Sequence, residues 1–99
     1  MKVHNVNGSS ERSPYCKCGS WKQHWLNYSG ARIWPTYCST KGCTGIAHDG
    51  GHVQRRINGN WYIVPLCKSC NGKHGQSLEL CEDTRFASAD RESTCGLSQ

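Results

Sequence analysis

Cysteine and histidine are the residue types in this chain best suited to chemistry, and they are densest between Cys38 and Asn71. Cys38 and Cys43 form a Cys-x4-Cys pair, and Cys67 and Cys70 form a Cys-x2-Cys pair. Two thiolate hooks at these spacings supply the four soft ligands of a closed tetrahedral zinc site, with the second hook opening a short helix. The reading is a ββα unit centred on one zinc. A disulfide within either pair would close almost no loop and so constrain the unfolded chain little, whereas a shared metal suits the short spacing.

The intervening elements must bring the two hooks together. Val53 to Ile57 and Asn60 to Val64 read as strands joined at Asn58-Gly59, a strong short hairpin signal. A two-residue loop there predicts that Arg55 faces Tyr62, Arg56 faces Trp61 and His52 faces Pro65, so that His52 ends near Cys67. After Leu66, Cys67 to about His74 predicts a helix of two turns closed by Gly75. Upstream, Ser20 is an N-cap candidate for a helix over Trp21 to Tyr28, with Gly30 as its stop. Trp21, Trp25 and Tyr28 recur on one face of it and are expected in the core. Arg32 to Tyr37 is expected to be extended, with Pro35 confining it to an edge; Leu78-Glu79-Leu80 is a short strand candidate and Phe86 an anchor.

With 99 residues and 35% hydrophobic content, one domain is expected, with too little apolar material for a conventional core. Eight cysteines can fill that role, through zinc or through disulfides. The first ten residues contain no apolar signal region and no later stretch approaches membrane-spanning length, which predicts a cytoplasmic protein with reduced thiols and zinc. Residues 1–14 are expected as a flexible N-terminal tail, 15–90 as the zinc-binding domain and 91–99 as a flexible C-terminal tail. Residues 1–75 hold ten Lys or Arg against two acids, and residues 76–99 hold two against five. A basic body fits a DNA or RNA partner, although a solvated basic surface accounts for the charge equally well, and four thiolates on one dication would subtract two charges.

The knuckle Cys38-Ser39-Thr40-Lys41-Gly42-Cys43, the segment Gly51-His52-Val53 and the run Val64-Pro65-Leu66-Cys67-Lys68-Ser69-Cys70-Asn71 describe a treble clef. With the hairpin between them they cover about a third of the chain and resemble the HNH endonuclease-type domain. The resemblance implies a small α+β fold, a zinc-stabilised treble clef of ββα-metal type. It also implies a chemistry in which a strand His activates water while a divalent ion, held by a preceding Asp or His and by a helical His or Asn, polarises the phosphate. A middle Asn orients the base. His52 matches the base and Asn71 the helical ligand. Gly51 precedes His52 and Ala47 precedes His48, so neither imidazole is preceded by a ligand; Tyr62 stands where the middle Asn belongs, with Asn60 nearby, and Asp49 is the nearest substitute ligand. The resemblance therefore implies a degenerate nuclease, an HNH-like module that contacts nucleic acid. An active metal-dependent HNH endonuclease and a structural or protein-interaction zinc domain are the alternatives.

Further candidates remain. Cys16, Cys18, His24 and His52 offer two thiolates and two imidazoles for a second zinc, which would pin the N-terminal helix and remove His52 from catalysis; His24 and His48 read equally as ordinary hydrogen-bonded histidines, and His4 and His74 as surface residues. Cys81 and Cys95 lack partners at metal spacing and read as free thiols. Nucleic-acid contact falls to Arg55, Arg56, Lys68 and Lys73, through phosphate and without a base code, with Arg56 on Trp61 as a competing cation-π pair.

Overall fold

The computed structural model describes residues 1–6, 19–73 and 75–90. The chain runs β1 (Lys2–Asn5), α1 (Trp21–Tyr28), β2 (Asp49–Arg55), β3 (Trp61–Leu66), α2 (Lys68–Asn71), β4 (Ser77–Glu79) and β5 (Ala87–Ser88). The strands form one sheet in the order β4-β1-β2-β3-β5, with every pairing antiparallel. The fold class is small α+β, as the sequence predicts.

Alternation along β2 and β3 divides the structure into two layers. Val53, Val64 and Leu66 face a cluster completed by Val3, Leu78, Leu80 and the buried Cys38, Cys67 and Cys70. The alternate residue Ile63 faces the opposite way, into a cluster with Trp21, Trp25 and Ala87. One side of the sheet thus carries α1 and the other carries the cysteines.

Helix α1 forms where expected. Ser20 is extended and its hydroxyl accepts from the Gln23 amide at 3.1 Å, satisfying one of the free N-terminal donors. Its buried face is Trp21, His24 and Trp25 rather than a Trp21, Trp25 and Tyr28 stripe; Tyr28 is 41% exposed. The Trp25 indole donates to the Arg85 carbonyl at 2.9 Å, so its polar edge is satisfied inside.

Several elements differ from expectation. Lys2–Asn5, expected within a flexible tail, is an internal strand, paired through Val3↔Arg55 to β2 and through Val3↔Leu78 to β4. Residues 7–14 and 91–99, the rest of the two expected tails, lie outside the described residues. The hairpin register is Gln54↔Trp61 and His52↔Ile63, two residues from the two-residue-loop prediction. The loop is longer because the Gly59 amide donates to the Arg55 carbonyl at 2.8 Å, with Gly59 at φ 71°. A slip of two preserves the face of every side chain, so the pattern of buried and exposed positions survives. Residues 32–37 form no strand; the segment is held by the Tyr37↔Ile46 bridge, by the Trp34 indole donating to the Ala47 carbonyl at 3.0 Å and by the Trp34 ring against Trp25. Helix α2 is one turn, not two, and ends at Gly72.

Candidate metal centre

The knuckle is built by backbone bonds: the Cys43 amide donates to the Thr40 carbonyl at 3.0 Å and the Cys38 amide to the Gly45 carbonyl at 2.8 Å. Gly42 sits in the turn at φ 77°, where a side chain would be strained. The Cys43 Sγ accepts from the Gly45 amide at 3.4 Å. Across from it, Cys67 caps α2, its Sγ accepting from the Cys70 amide at 3.4 Å. The bond between the Ser39 amide and the Pro65 carbonyl, 3.0 Å, ties knuckle to β3 and sets the two halves in register.

The result is that Cys38, Cys43, Cys67 and Cys70 place their four Sγ atoms within 4.8 Å of one another. Cys43 Sγ and Cys67 Sγ are 3.9 Å apart, far beyond a disulfide and close to the roughly 3.8 Å edge of a tetrahedron with metal–sulfur bonds of about 2.3 Å. All four are free thiols. Four sulfurs at one point fit a metal ion.

The electrostatics point the same way. Burial pushes the Cys70 thiol up to about 12, helped by hydrogen bonding to Cys67 and by charge on Cys38. Burial also opposes ionisation of Cys38, but hydrogen bonds from the Thr40 hydroxyl and from the Cys67 and Thr40 backbone outweigh it and hold that thiol low. The cluster therefore resists carrying four negative charges alone, and a dication removes that penalty. Thr40, whose Oγ1 lies 3.5 Å from Cys38 Sγ, is a supporting residue that sequence spacing does not reveal.

The residues matched to nuclease roles separate. A Cβ added at Gly51 would stand 2.8 Å from Asn71 Oδ1 and 2.5 Å from Leu66 Cδ1, so position 51 faces α2 and has no room for a ligand. His52, the next residue, projects to the other face, its ring centroid 4.5 Å from that of Trp21 and 6.2 Å from that of Trp61. The sheet stands between His52 and Asn71. Burial, with a smaller contribution from His24, lowers His52 to about 4. A different trio does converge: His48 Nδ1 lies 2.6 Å from Asp49 Oδ1, and Asn71 Nδ2 donates to Asp49 Oδ2 at 3.3 Å. Their grouping follows from β2 starting at Asp49, alongside the start of α2.

Of the basic candidates, Arg56, Lys68 and Lys73 are exposed. Arg55 is engaged, its guanidinium 5.0 Å from the Phe86 ring and 5.8 Å from that of Tyr62. The shifted register sets Gln54, not Arg56, across from Trp61, whereas Arg55, expected opposite Tyr62, keeps that ring as a neighbour beside Phe86. Lys22 lies 5.0 Å from the Trp34 ring. Among the second-site candidates, His24 and His52 meet around Trp21, while Cys16 and Cys18, like Cys95 and His74, lie outside the described residues. Cys81 is a half-buried free thiol.

Comparison with protein-family models, with curated proteins and with solved structures returns no match. The cysteine centre stands on its own geometry. No helix among the described residues is long and apolar enough to cross a membrane.

Proposed function

We propose that the chain is a zinc-structured, treble-clef module of HNH-like type that contacts DNA or RNA and does not cut it. The observation that carries the reading is the meeting of four Sγ atoms within 4.8 Å, two from a knuckle and two from the start of the helix that follows a hairpin. A four-sulfur tetrahedral set selects zinc or iron among the first-row metals, and zinc is the ion of closed structural sites. Arg56 on the hairpin loop and Lys68 and Lys73 around α2 present free cations toward solvent, the arrangement that meets a phosphate backbone. Loss of cutting rests on Gly51, which leaves no space for the ligand expected there, and on His52, which lies across the sheet from Asn71.

The test is metal analysis followed by binding. Purified, reduced protein should be colourless and carry zinc that is lost on Cys70→Ser. It should bind a short DNA or RNA duplex with an affinity that falls steeply with salt, the logarithmic slope being near −0.9 for each phosphate neutralised. Salt-independent or absent binding would sink the nucleic-acid reading, and a red, iron-loaded protein would sink the zinc assignment.

A second reading, an active metal-dependent nuclease, is favoured by one observation, the contact of His48 and Asn71 with the Asp49 carboxylate. In that reading Asp49 and Asn71 hold a divalent ion and His48 removes the water proton. Incubation of the same duplex with Mg2+ or Mn2+ separates the two: cleavage abolished by Asp49→Ala supports the nuclease, and intact substrate supports the binding module.

A further inference from the structure

Residues directly opposed on antiparallel strands project to the same face of a sheet. His52 and Ile63 are one such pair, and both pack against Trp21 of α1. The next row on that face is His4, Gln54 and Trp61, set side by side on β1, β2 and β3 by the pairs His4↔Gln54 and Gln54↔Trp61. Trp61 is 48% exposed there, its ring braced on one side by the His52 imidazole at a centroid distance of 6.2 Å. Trp25 and Trp34, by contrast, turn their indole N–H groups inward to the Arg85 and Ala47 carbonyls. A single exposed tryptophan is ordinary, so its surroundings decide what it is for.

Beside Trp61 opens a cleft of about 260 Å3 lined by His4, Gln54, Arg55, Arg56 and Gly59. The lining brings two arginines and an imidazole together and holds no carboxylate. Its floor is fixed in advance, because Gln54 Nε2 donates to the Gly59 carbonyl at 2.8 Å and ties β2 to the hairpin loop. The Arg55 guanidinium is held over Phe86 and Tyr62, which leaves the exposed Arg56 as the cation facing solvent. Strands about 4.8 Å apart put Trp61 and His4 about 10 Å from one another, on the scale of a nucleotide with its phosphate. Charge in the cleft selects an anion, and the adjoining indole selects one that carries a flat ring. In a duplex both faces of each base are already stacked; an unpaired base offers one.

Given the nucleic-acid contact proposed above, on which this site rests, we propose that the face formed by His4, Gln54, Arg56 and Trp61 holds an unpaired nucleotide. The base stacks on Trp61, and its phosphate enters the cleft against Arg56 and the His4 imidazole. The occupant is a single strand, or the single-stranded end of a duplex. Stacking tolerates any base, and the Gln54 amide nitrogen is already committed to Gly59, so little sequence preference is expected.

Fluorescence anisotropy of labelled oligonucleotides against the zinc-loaded full chain tests the proposal, with a blunt duplex, the same duplex carrying a single-stranded extension, and the isolated strand compared at one salt concentration. The extended duplex and the strand should bind about tenfold more tightly than the blunt duplex. Trp61→Leu should erase that preference while keeping the blunt-duplex affinity, and Trp61→Phe should retain part of it. Because a Trp61 variant can fail to fold, the wild-type protein is also read by NMR: the ring protons of bound oligothymidylate should move upfield and the Trp61 indole resonance should shift. Equal affinity of the wild type for all three oligonucleotides, with no such shifts, would overturn the stacking site and leave the phosphate contact standing. Absence of binding to any of them would overturn the site together with the nucleic-acid reading.

Discussion

Gly50 lies directly beneath the backbone of Trp21: a Cβ on Gly50 would stand 2.7 Å from the Trp21 carbonyl carbon and 2.8 Å from its Cβ. The absent side chain lets the first turn of α1 rest on β2. Gly50→Ala should lift the helix, because backbone cannot rotate aside, and cost about 3 kcal/mol by overpacking. Gly51→Ala meets only the side-chain ends of Leu66 and Asn71 and should cost about half as much. Thermal unfolding of the two variants orders them, and a larger loss for Gly51→Ala would refute the close-approach account.

Asn5 is fully buried and donates from Nδ2 to the carbonyls of Cys70 and Asn71, at 3.0 and 3.1 Å. It holds the last turn of α2 against β1. Asn5→Asp would aim an anionic oxygen at two carbonyls, and a loss of about 3 kcal/mol or more is expected, against roughly 2 kcal/mol for Asn5→Ala. Zinc should also be surrendered faster to a competing chelator in both variants. Unchanged chelation kinetics would disconnect β1 from the metal centre.

Metal removal should unfold the chain. A structural zinc contributes on the order of 10 kcal/mol, comparable with the entire stability of a small domain. Excess chelator should therefore abolish cooperative thermal unfolding, and added zinc should restore it. Binding displaces thiol protons, including one from Cys70 that burial pushes to about 12, so affinity must fall as pH falls. Zinc affinity measured at two pH values checks the sign, and tighter binding at the lower pH would contradict thiolate ligation.

The two hairpin arginines should respond differently. Arg55→Ala removes a cation from Phe86 and Tyr62 and should cost about 0.5–1 kcal/mol of stability. Arg56→Ala, in the exposed loop, should leave stability within about 0.5 kcal/mol and lower the salt slope of nucleic-acid binding by about one. Equal effects of both on binding would show that Arg55 also reaches phosphate.

The parts legible in the sequence are those set by local spacing: α1 from Ser20 onward, the two strands around Asn58-Gly59, and the gathering of Cys38, Cys43, Cys67 and Cys70. The strand β1 was not, because Lys-Val-His-Asn is too short and polar to announce itself and is held by partners far along the chain, Arg55 and Leu78. Loop length escaped for a related reason. Asn-Gly favours a two-residue turn, but the Gly59-to-Arg55 bond closes a wider one and sets Gln54 rather than Arg56 across from Trp61. The trio of His48, Asp49 and Asn71 depends on where β2 begins, a boundary that no residue pattern marks.

The position of β1 between β2 and β4 separates the order of synthesis from the order of closure. Every cysteine of the metal centre has been made once Cys70 emerges, while the partner of β1 on its outer side, Ser77–Glu79, is still to come. The first of the described strands to be made is consequently among the last to be enclosed. A nascent chain can load its ion first and use the hairpin it organises as the template on which β1 and β4 are later joined.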